Sequence, residues 1–281
     1  VDNENSTIAL ALAKAIQSLG INSVIIKGGH SDNNDGVNTC IDYCLHRLAA
    51  HEHHFTEKDK TVTYQLSSPR INTRYTHGGG CTFATALASF LAHGYLLRDA
   101  FTLAKAFINQ GLMLTAGKQD KYGAFEQGTW PKSAQYFPLV TAHLNQHYQN
   151  LLAFESLDLP REGLQTLGLY PVVDSVEWLN RLMPLGINII QLRLKNKTKQ
   201  ELRVEIQAAV ELSKQFDCRL FINDFWQLAI EYGAYGVHIG QEDLFDADLS
   251  AIQQAGLRLG ISTHGCYEFL LAQQLQPSYL A

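Results

Sequence analysis

From residue 168 to the last residue, one pattern repeats: a short apolar run, a polar tip, an amphipathic stretch, then the next apolar run. The spacing predicts strands over 168–173, 188–194, 218–222, 235–239, 258–262 and 278–281, with helices between them. Strands that alternate with helices run parallel, because each helix carries the chain back to the edge where the next strand starts. Two folds meet that condition, a (β/α)8 barrel and a doubly wound open sheet. The regular spacing points to the barrel. Five βα units and the start of a sixth strand fall in this chain, so about two strands of a barrel are expected outside it.

The polar tips carry the chemistry. Functional residues of a barrel lie at the C-terminal ends of its strands. Gln191, Arg193 and Lys195 alternate along 188–194 and its end, so in an extended chain they share one face. Asn223 and Asp224 end the next apolar run, followed by Gln241-Glu242-Asp243 and by Ser262-Thr263. Asp224, Asp243 and Ser262 are separated by equal intervals, 224 to 243 and 243 to 262, one βα unit each. They therefore sit at similar height on neighbouring strands. Two carboxylates beside two cations and an amide suit Mg²⁺ holding a diphosphate, since magnesium takes one or two carboxylates plus phosphate oxygens and water. A single polar strand end would mean only that strand ends meet water. Four in succession, with complementary charges, read as a site.

The first 125 residues have a different texture. Helices are expected over 5–19, 81–93 and 97–113, and strands over 22–27, 39–46 and 61–67. Residues 126–166 read as a linker containing a helix near 139–154, and the barrel segment as 167–281. The helix at 81 is opened by Thr76-His77-Gly78-Gly79-Gly80-Cys81-Thr82. A helix N-terminus exposes unpaired N–H groups and about half a positive charge. Consecutive glycines let a phosphate approach them. Cys81, in the first turn, lies in a field that favours thiolate and is a candidate general base. A glycine-rich turn packed by a small buried cysteine would give the same pattern. His46, His51, His53 and His54 fit no standard metal spacing. Cys40 and Cys44, four apart on a strand, read as packing residues.

Composition excludes several classes for a chain of 281 residues with a net charge of −5. That charge offers no electrostatic basis for nucleic acid or an anionic membrane. No apolar run approaches the roughly 20 residues of a membrane span. Five cysteines at irregular spacing make neither a disulfide framework nor a zinc ribbon, which suits the reducing cytoplasm.

Two resemblances sharpen these expectations. Lys27-Gly28-Gly29-His30, Ser68-Pro69-Arg70-Ile71 and the Thr76–Thr82 motif resemble the C-terminal third of hydroxymethylpyrimidine-phosphate kinase, a ribokinase-like α/β enzyme. The resemblance covers about residues 1–125. It implies an anion hole for ATP at Gly78, Gly79 and Gly80, Lys27 near the nucleotide, and Cys81 as catalytic base. Gly79 stands where the commonest family form has Thr or Ser, so one side-chain donor is lost.

Gly168–Asp174, Gln191–Lys195, Leu220–Asp224, Gly236–Leu244 and Gly260–His264 are similar, in order, to motifs of thiamine-phosphate synthase. That family is a TIM barrel joining hydroxymethylpyrimidine diphosphate to a thiazole phosphate. The resemblance implies pyrimidine-diphosphate binding by Gln191, Arg193, Lys195, Asn223 and Ser262, and Mg²⁺ on Asp224 and Asp243. By the same resemblance the thiazole phosphate is gripped by later strands. The chain therefore reads as an internal piece of a bifunctional thiamine-biosynthesis enzyme. It is expected to be complete in neither domain and not to form thiamine phosphate alone. A phosphate-binding remnant without turnover and a barrel for another diphosphate are the competing readings.

Overall fold

The computed structural model describes residues 4–29, 38–48, 61–118, 123–124, 126–141, 151–157 and 168–281. It is an α/β structure of two compact units, residues 1–143 with 265–271, and residues 144–264 with 272–281.

In the first unit α1 (Glu4–Gln17) precedes β1 (Ser23–Ile26), β2 (Thr39–Arg47) and β3 (Thr61–Pro69). β1 pairs with β2 and β2 with β3, both antiparallel. α2 (Gly79–Ala92) and α3 (Leu97–Leu114) follow. Of the apolar residues expected to make one face of α3, Phe101 and Ala104 are fully enclosed and Leu103 and Ile108 nearly so, while Leu97 is only half-buried. α2 begins at Gly79, two residues before the expected start, so two glycines of the triplet lie inside the first turn.

The expected linker is corrected in one part. Leu139–Thr141 do not open a helix; they form β4, antiparallel to β3 at the edge of this sheet. Phe137-Pro138 immediately before them disfavours a helix. Val140 then finds a fully buried position directly opposite the equally buried Leu66. Burial of a β-branched side chain on a pleated surface outweighs the helical tendency of the leucines and alanines nearby.

Among the described residues the second unit has six strands: β5 (Val172–Val173), β6 (Ile189–Leu192), β7 (Arg219–Asn223), β8 (Gly236–Ile239), β9 (Arg258–Ile261) and β10 (Tyr279–Leu280). All are parallel and lie in chain order, each beside its sequence neighbours, with no reversal. Between them run α4 (Val176–Leu182), α5 (Lys199–Gln215), α6 (Trp226–Tyr232) and α7 (Leu249–Gln254), while α8 (Cys266–Gln273), between β9 and β10 in sequence, belongs to the first unit up to Leu271. Every residue of β6 and β8 is buried, as expected of parallel strands covered on both faces. α5 starts with a capping box, in which the Thr198 hydroxyl accepts from the Glu201 amide and the Glu201 carboxylate accepts from the Thr198 amide. Its Leu202, Ile206, Ala209 and Val210 form one buried stripe. Asp248 caps α7 by accepting from the Ala251 amide at 2.9 Å. No described helix is long and apolar enough to cross a membrane.

Candidate functional site

In the second unit the polar groups gather where β6 to β9 end. Register explains why. Asn223 on β7 lies opposite His238 on β8, His238 opposite Gly260 on β9, and Gly260 opposite Tyr279 on β10. Four strands thus contribute one layer, and the residues just beyond it are Asp224, Gln241, Asp243 and Ser262.

Gln191 is buried and donates through Nε2 to Asn223 Oδ1 at 3.2 Å. Asn223 hydrogen-bonds the Asp224 carboxylate in turn, and Asp224 shares a further hydrogen bond with Asp243. Partial burial pushes the Asp224 carboxyl up to about 6, and the adjacent Asp243 charge adds to the rise, while Arg193 opposes it. Asp224 also holds a left-handed backbone, φ 64°, where its amide donates to the His238 carbonyl at 2.9 Å. Aspartate tolerates that conformation better than most residues. Two carboxylates crowded until one favours its proton make a place that a divalent cation would relieve. Among the described residues no three His, Cys, Asp or Glu side chains converge as a metal cluster. Two carboxylates, with further positions left to ligand oxygens, are a donor set that could hold Mg²⁺.

His238 was not singled out from sequence, and it is central. Its Nδ1 is 2.7 Å from the Tyr279 hydroxyl and its Nε2 is 2.6 Å from Ser262 Oγ. Burial pushes the imidazole down to about 4, helped by the Arg193 charge, so it is neutral near pH 7. Tyr279 reaches on to the Tyr170 hydroxyl at 2.6 Å. Gln241 Nε2 donates to the Ser262 carbonyl at 2.7 Å, fixing the backbone there. A signal existed: His238 is the one polar residue in the run Gly236-Val237-His238-Ile239, all of it buried.

The cations sit differently. β6 stops at Leu192, so the strand alternation does not extend to Lys195. Arg193 is exposed but close enough to affect both Asp224 and His238. Lys195 is exposed and lines, with Arg193, Lys197, Asp174 and Trp178, an open cleft of about 890 Å³ beside β5.

In the first unit Gly78 caps α2 with φ 81°, a conformation that needs glycine. The Gly79 amide donates to the Thr76 carbonyl at 3.2 Å. Gly80 and Cys81 are the next donors of the first turn, and among the described residues a Cβ on Gly80 would meet nothing within 4 Å. Packing among the described residues therefore does not account for that glycine. Cys81 is exposed, unlike the buried packing cysteine of the alternative reading. Lys27 is brought to the same helix. Its ammonium lies 4.5 Å from the centroid of the Phe83 ring, and this partial burial lowers its pKa. The following residue is anchored from below. The Gly28 amide donates to Asp42 Oδ1 at 2.8 Å, and Asp42 Oδ2 takes the Lys105 ammonium at 2.8 Å.

His46 belongs to none of this. It is buried, bonded to Ser23 Oγ at 2.8 Å and stacked near Tyr64. His51, His53 and His54 lie outside the described residues. Burial pushes the Cys44 thiol up to about 12, consistent with packing.

Residues 169–281 match the family model for thiamine monophosphate synthase, and residues 2–125 that for phosphomethylpyrimidine kinase. A thiamine-phosphate synthase of Yersinia pseudotuberculosis is 60% identical over 117 residues, 42% of this chain and 54% of the relative. The chain spans about half the length of the curated relatives it matches. Among solved structures, a thiamine phosphate pyrophosphorylase from Pyrococcus furiosus superposes with a TM-score of 0.37 at 26% identity, over 41% of this chain and 59% of that one. A pyridoxal kinase from Staphylococcus aureus gives 0.36 at 23% identity, over 50% and 44%. The two matches lie side by side in one chain, residues 2–125 being similar to phosphomethylpyrimidine kinases and residues 169–281 to thiamine monophosphate synthases.

Proposed function

We propose that the second unit binds a pyrimidine diphosphate with Mg²⁺, as the donor half of a thiamine-phosphate synthase site. The observation that carries this reading is the Asp224–Asp243 pair beside the Gln191–Asn223 amides. The parallel strands in chain order support a section of a (β/α)8 barrel over a doubly wound sheet, whose strand order reverses. We take residues 1–125 and 167–281 as the two functional segments and cytoplasm as the setting.

The reaction would be displacement of diphosphate from the pyrimidine methylene carbon by the thiazole nitrogen of a thiazole phosphate. Mg²⁺ held by Asp224 and Asp243 would neutralise charge growing on the leaving diphosphate. Arg193 and Lys195 would supply further positive charge to the departing oxygens. Ser262 would donate to a phosphate oxygen. Gln191 and Asn223 would hold the pyrimidine in line, so that orientation is settled before bond breaking. The aminopyrimidine is electron-rich, which eases loss of the leaving group.

The first unit would serve the preceding step, phosphorylation of hydroxymethylpyrimidine phosphate by ATP. Gly78, Gly79 and Gly80 would form the turn over the transferring phosphoryl group, with amide donors from Gly80 and Cys81. Lys27 would lie near the nucleotide phosphates, and Cys81 would take the proton of the attacking oxygen. The exposed cysteine, and a Gly80 that packing among the described residues does not account for, support this assignment.

Calorimetry with hydroxymethylpyrimidine diphosphate tests the second site. Binding should require Mg²⁺ and should weaken at least tenfold in Asp224→Asn. Binding that ignores both the cation and the substitution would overturn the proposal.

A further inference from the structure

Four side chains of the second unit form an unbroken line of hydrogen bonds. It runs from the Tyr170 hydroxyl to the Tyr279 hydroxyl at 2.6 Å, on to His238 Nδ1 at 2.7 Å, and from His238 Nε2 to Ser262 Oγ at 2.6 Å. His238 is buried and its ring lies near-parallel to Tyr279, centroids 5.6 Å apart. Room for that stack comes from Gly260, where a Cβ would stand 2.2 Å from the Tyr279 ring. The line ends at the residue facing the proposed diphosphate.

A neutral imidazole has one N–H donor and one acceptor nitrogen, so the line has only two polarities. In one, Ser262 donates to Nε2, Nδ1–H donates to Tyr279, and the spare hydrogen emerges at Tyr170. Ser262 then offers the site only lone pairs. In the other, Tyr170 donates to Tyr279, Tyr279 to Nδ1, and Nε2–H to Ser262. The spare hydrogen then emerges from Ser262. Intrinsic chemistry favours the second. A phenol, with a pKa near 10, is a stronger donor than an aliphatic alcohol, and its oxygen, conjugated with the ring, is a weaker acceptor. The phenol therefore belongs on the acceptor nitrogen and the serine oxygen on the N–H.

We infer that His238 is a positioning residue: Tyr279 fixes its Nε2–H tautomer, and Nε2–H in turn commits the Ser262 hydroxyl to donate to a phosphate oxygen. The inference rests on the diphosphate reading above, because that reading supplies the anion. The effect is preorganisation. Ser262 meets its ligand with its hydrogen already aimed outward, and no buried bond is exchanged when the ligand arrives.

Two measurements on the 281-residue chain test it. Nitrogen-15 NMR with labelled histidine reads the tautomer directly in the unsubstituted protein. His238 should be protonated on Nε2 and bare on Nδ1. An Nδ1–H tautomer would overturn the inference whatever the variants do. Calorimetry with inorganic pyrophosphate and Mg²⁺ then reads the consequence. Ser262→Ala should weaken binding about tenfold, the worth of one charge-assisted hydrogen bond. Tyr279→Phe keeps the ring and loses the hydroxyl, and it should weaken binding about threefold or more. In the Ser262→Ala background the same change should cost nothing further, since residues acting through one hydroxyl are not additive. Loss in Ser262→Ala with none in Tyr279→Phe, or fully additive losses, would overturn the inference and leave the diphosphate site standing. Unchanged affinity in Ser262→Ala would overturn both.

Discussion

Asp224→Asn should make the second unit more stable at pH 8 while impairing its Mg²⁺-dependent binding. The carboxyl is held at about 6 in the fold against an ordinary 3.8, first by partial burial and then by Asp243. A value above the ordinary one means that folding takes up a proton between about pH 4 and pH 6. Below that window the acid is neutral in both states and carries no penalty. As pH rises through it the folded state must hold a charge it disfavours, and the loss is complete above about 6. A shift of roughly two units corresponds to about 3 kcal/mol at most. Asp224 is only half-buried, so solvent screening reduces that to about 1 kcal/mol. Asparagine cannot ionise, tolerates the left-handed backbone and keeps a similar shape. Urea unfolding followed by tryptophan fluorescence should show the variant ahead by about 1 kcal/mol at pH 8 and level with the parent near pH 4. Saturating Mg²⁺ and pyrophosphate should reverse the order, because a ligand at a hundred times its Kd adds about 2.7 kcal/mol to whichever protein binds it. A variant that is less stable at pH 8, an increment that does not change with pH, or equal stabilisation by the ligand would each refute this account.

Gly260→Ala would set a methyl 2.2 Å from the Tyr279 ring carbon and 2.4 Å from its hydroxyl. It should cost about 1–3 kcal/mol in urea unfolding and alter the near-UV circular dichroism as the ring is displaced. Lys105→Met strands the buried Asp42 carboxylate, so thermal unfolding of the first unit should show a loss of about 3 kcal/mol or more, largely recovered by adding Asp42→Asn. Cys81→Ala, at an exposed position, should leave stability within roughly 0.5 kcal/mol yet lower ATP-dependent phosphorylation about 10²-fold in a kinase assay.

Local pattern carried much of this structure, and its limits are physical. Strands β6 to β9 were legible because runs such as Leu220-Phe221-Ile222 are buried on both faces and need no partner to be recognised. The proximity of Asp224 and Asp243 followed from equal spacing on adjacent strands. Lys195 was grouped with Gln191 by alternation, but alternation holds only while the chain stays extended, and β6 ends at Leu192. β4 could not be read from its own three residues, because what makes Leu139–Thr141 a strand is the open edge of β3. His238 and Tyr279 stand 41 residues apart; only the register of β8, β9 and β10 brings them together. Tyr170 is more distant still, 109 residues from its partner.

The site divides its polar groups into two kinds, and the division explains its chemistry. Gln191, Asn223, His238 and Gln241 are all buried, and none leaves a fully buried side-chain nitrogen or oxygen without a partner. Burying such groups unpaired would cost several kcal/mol in total, so the bonds they make, Gln191 to Asn223, His238 to Tyr279 and Ser262, and Gln241 to the Ser262 carbonyl, hold their side chains in place. The Asp224–Asp243 pair is the reverse case. It is hydrogen-bonded, yet only by favouring a proton that neutral pH does not supply. Binding energy is gained where the free protein is least satisfied, and specificity where its bonds are already made. On the proposed diphosphate reading, a ligand that brings a divalent cation would relieve the carboxylates and find the amides, the imidazole and Ser262 already in position. One that brings phosphate without the cation meets two repelling carboxylates. On that reading the free protein would already discriminate between the two.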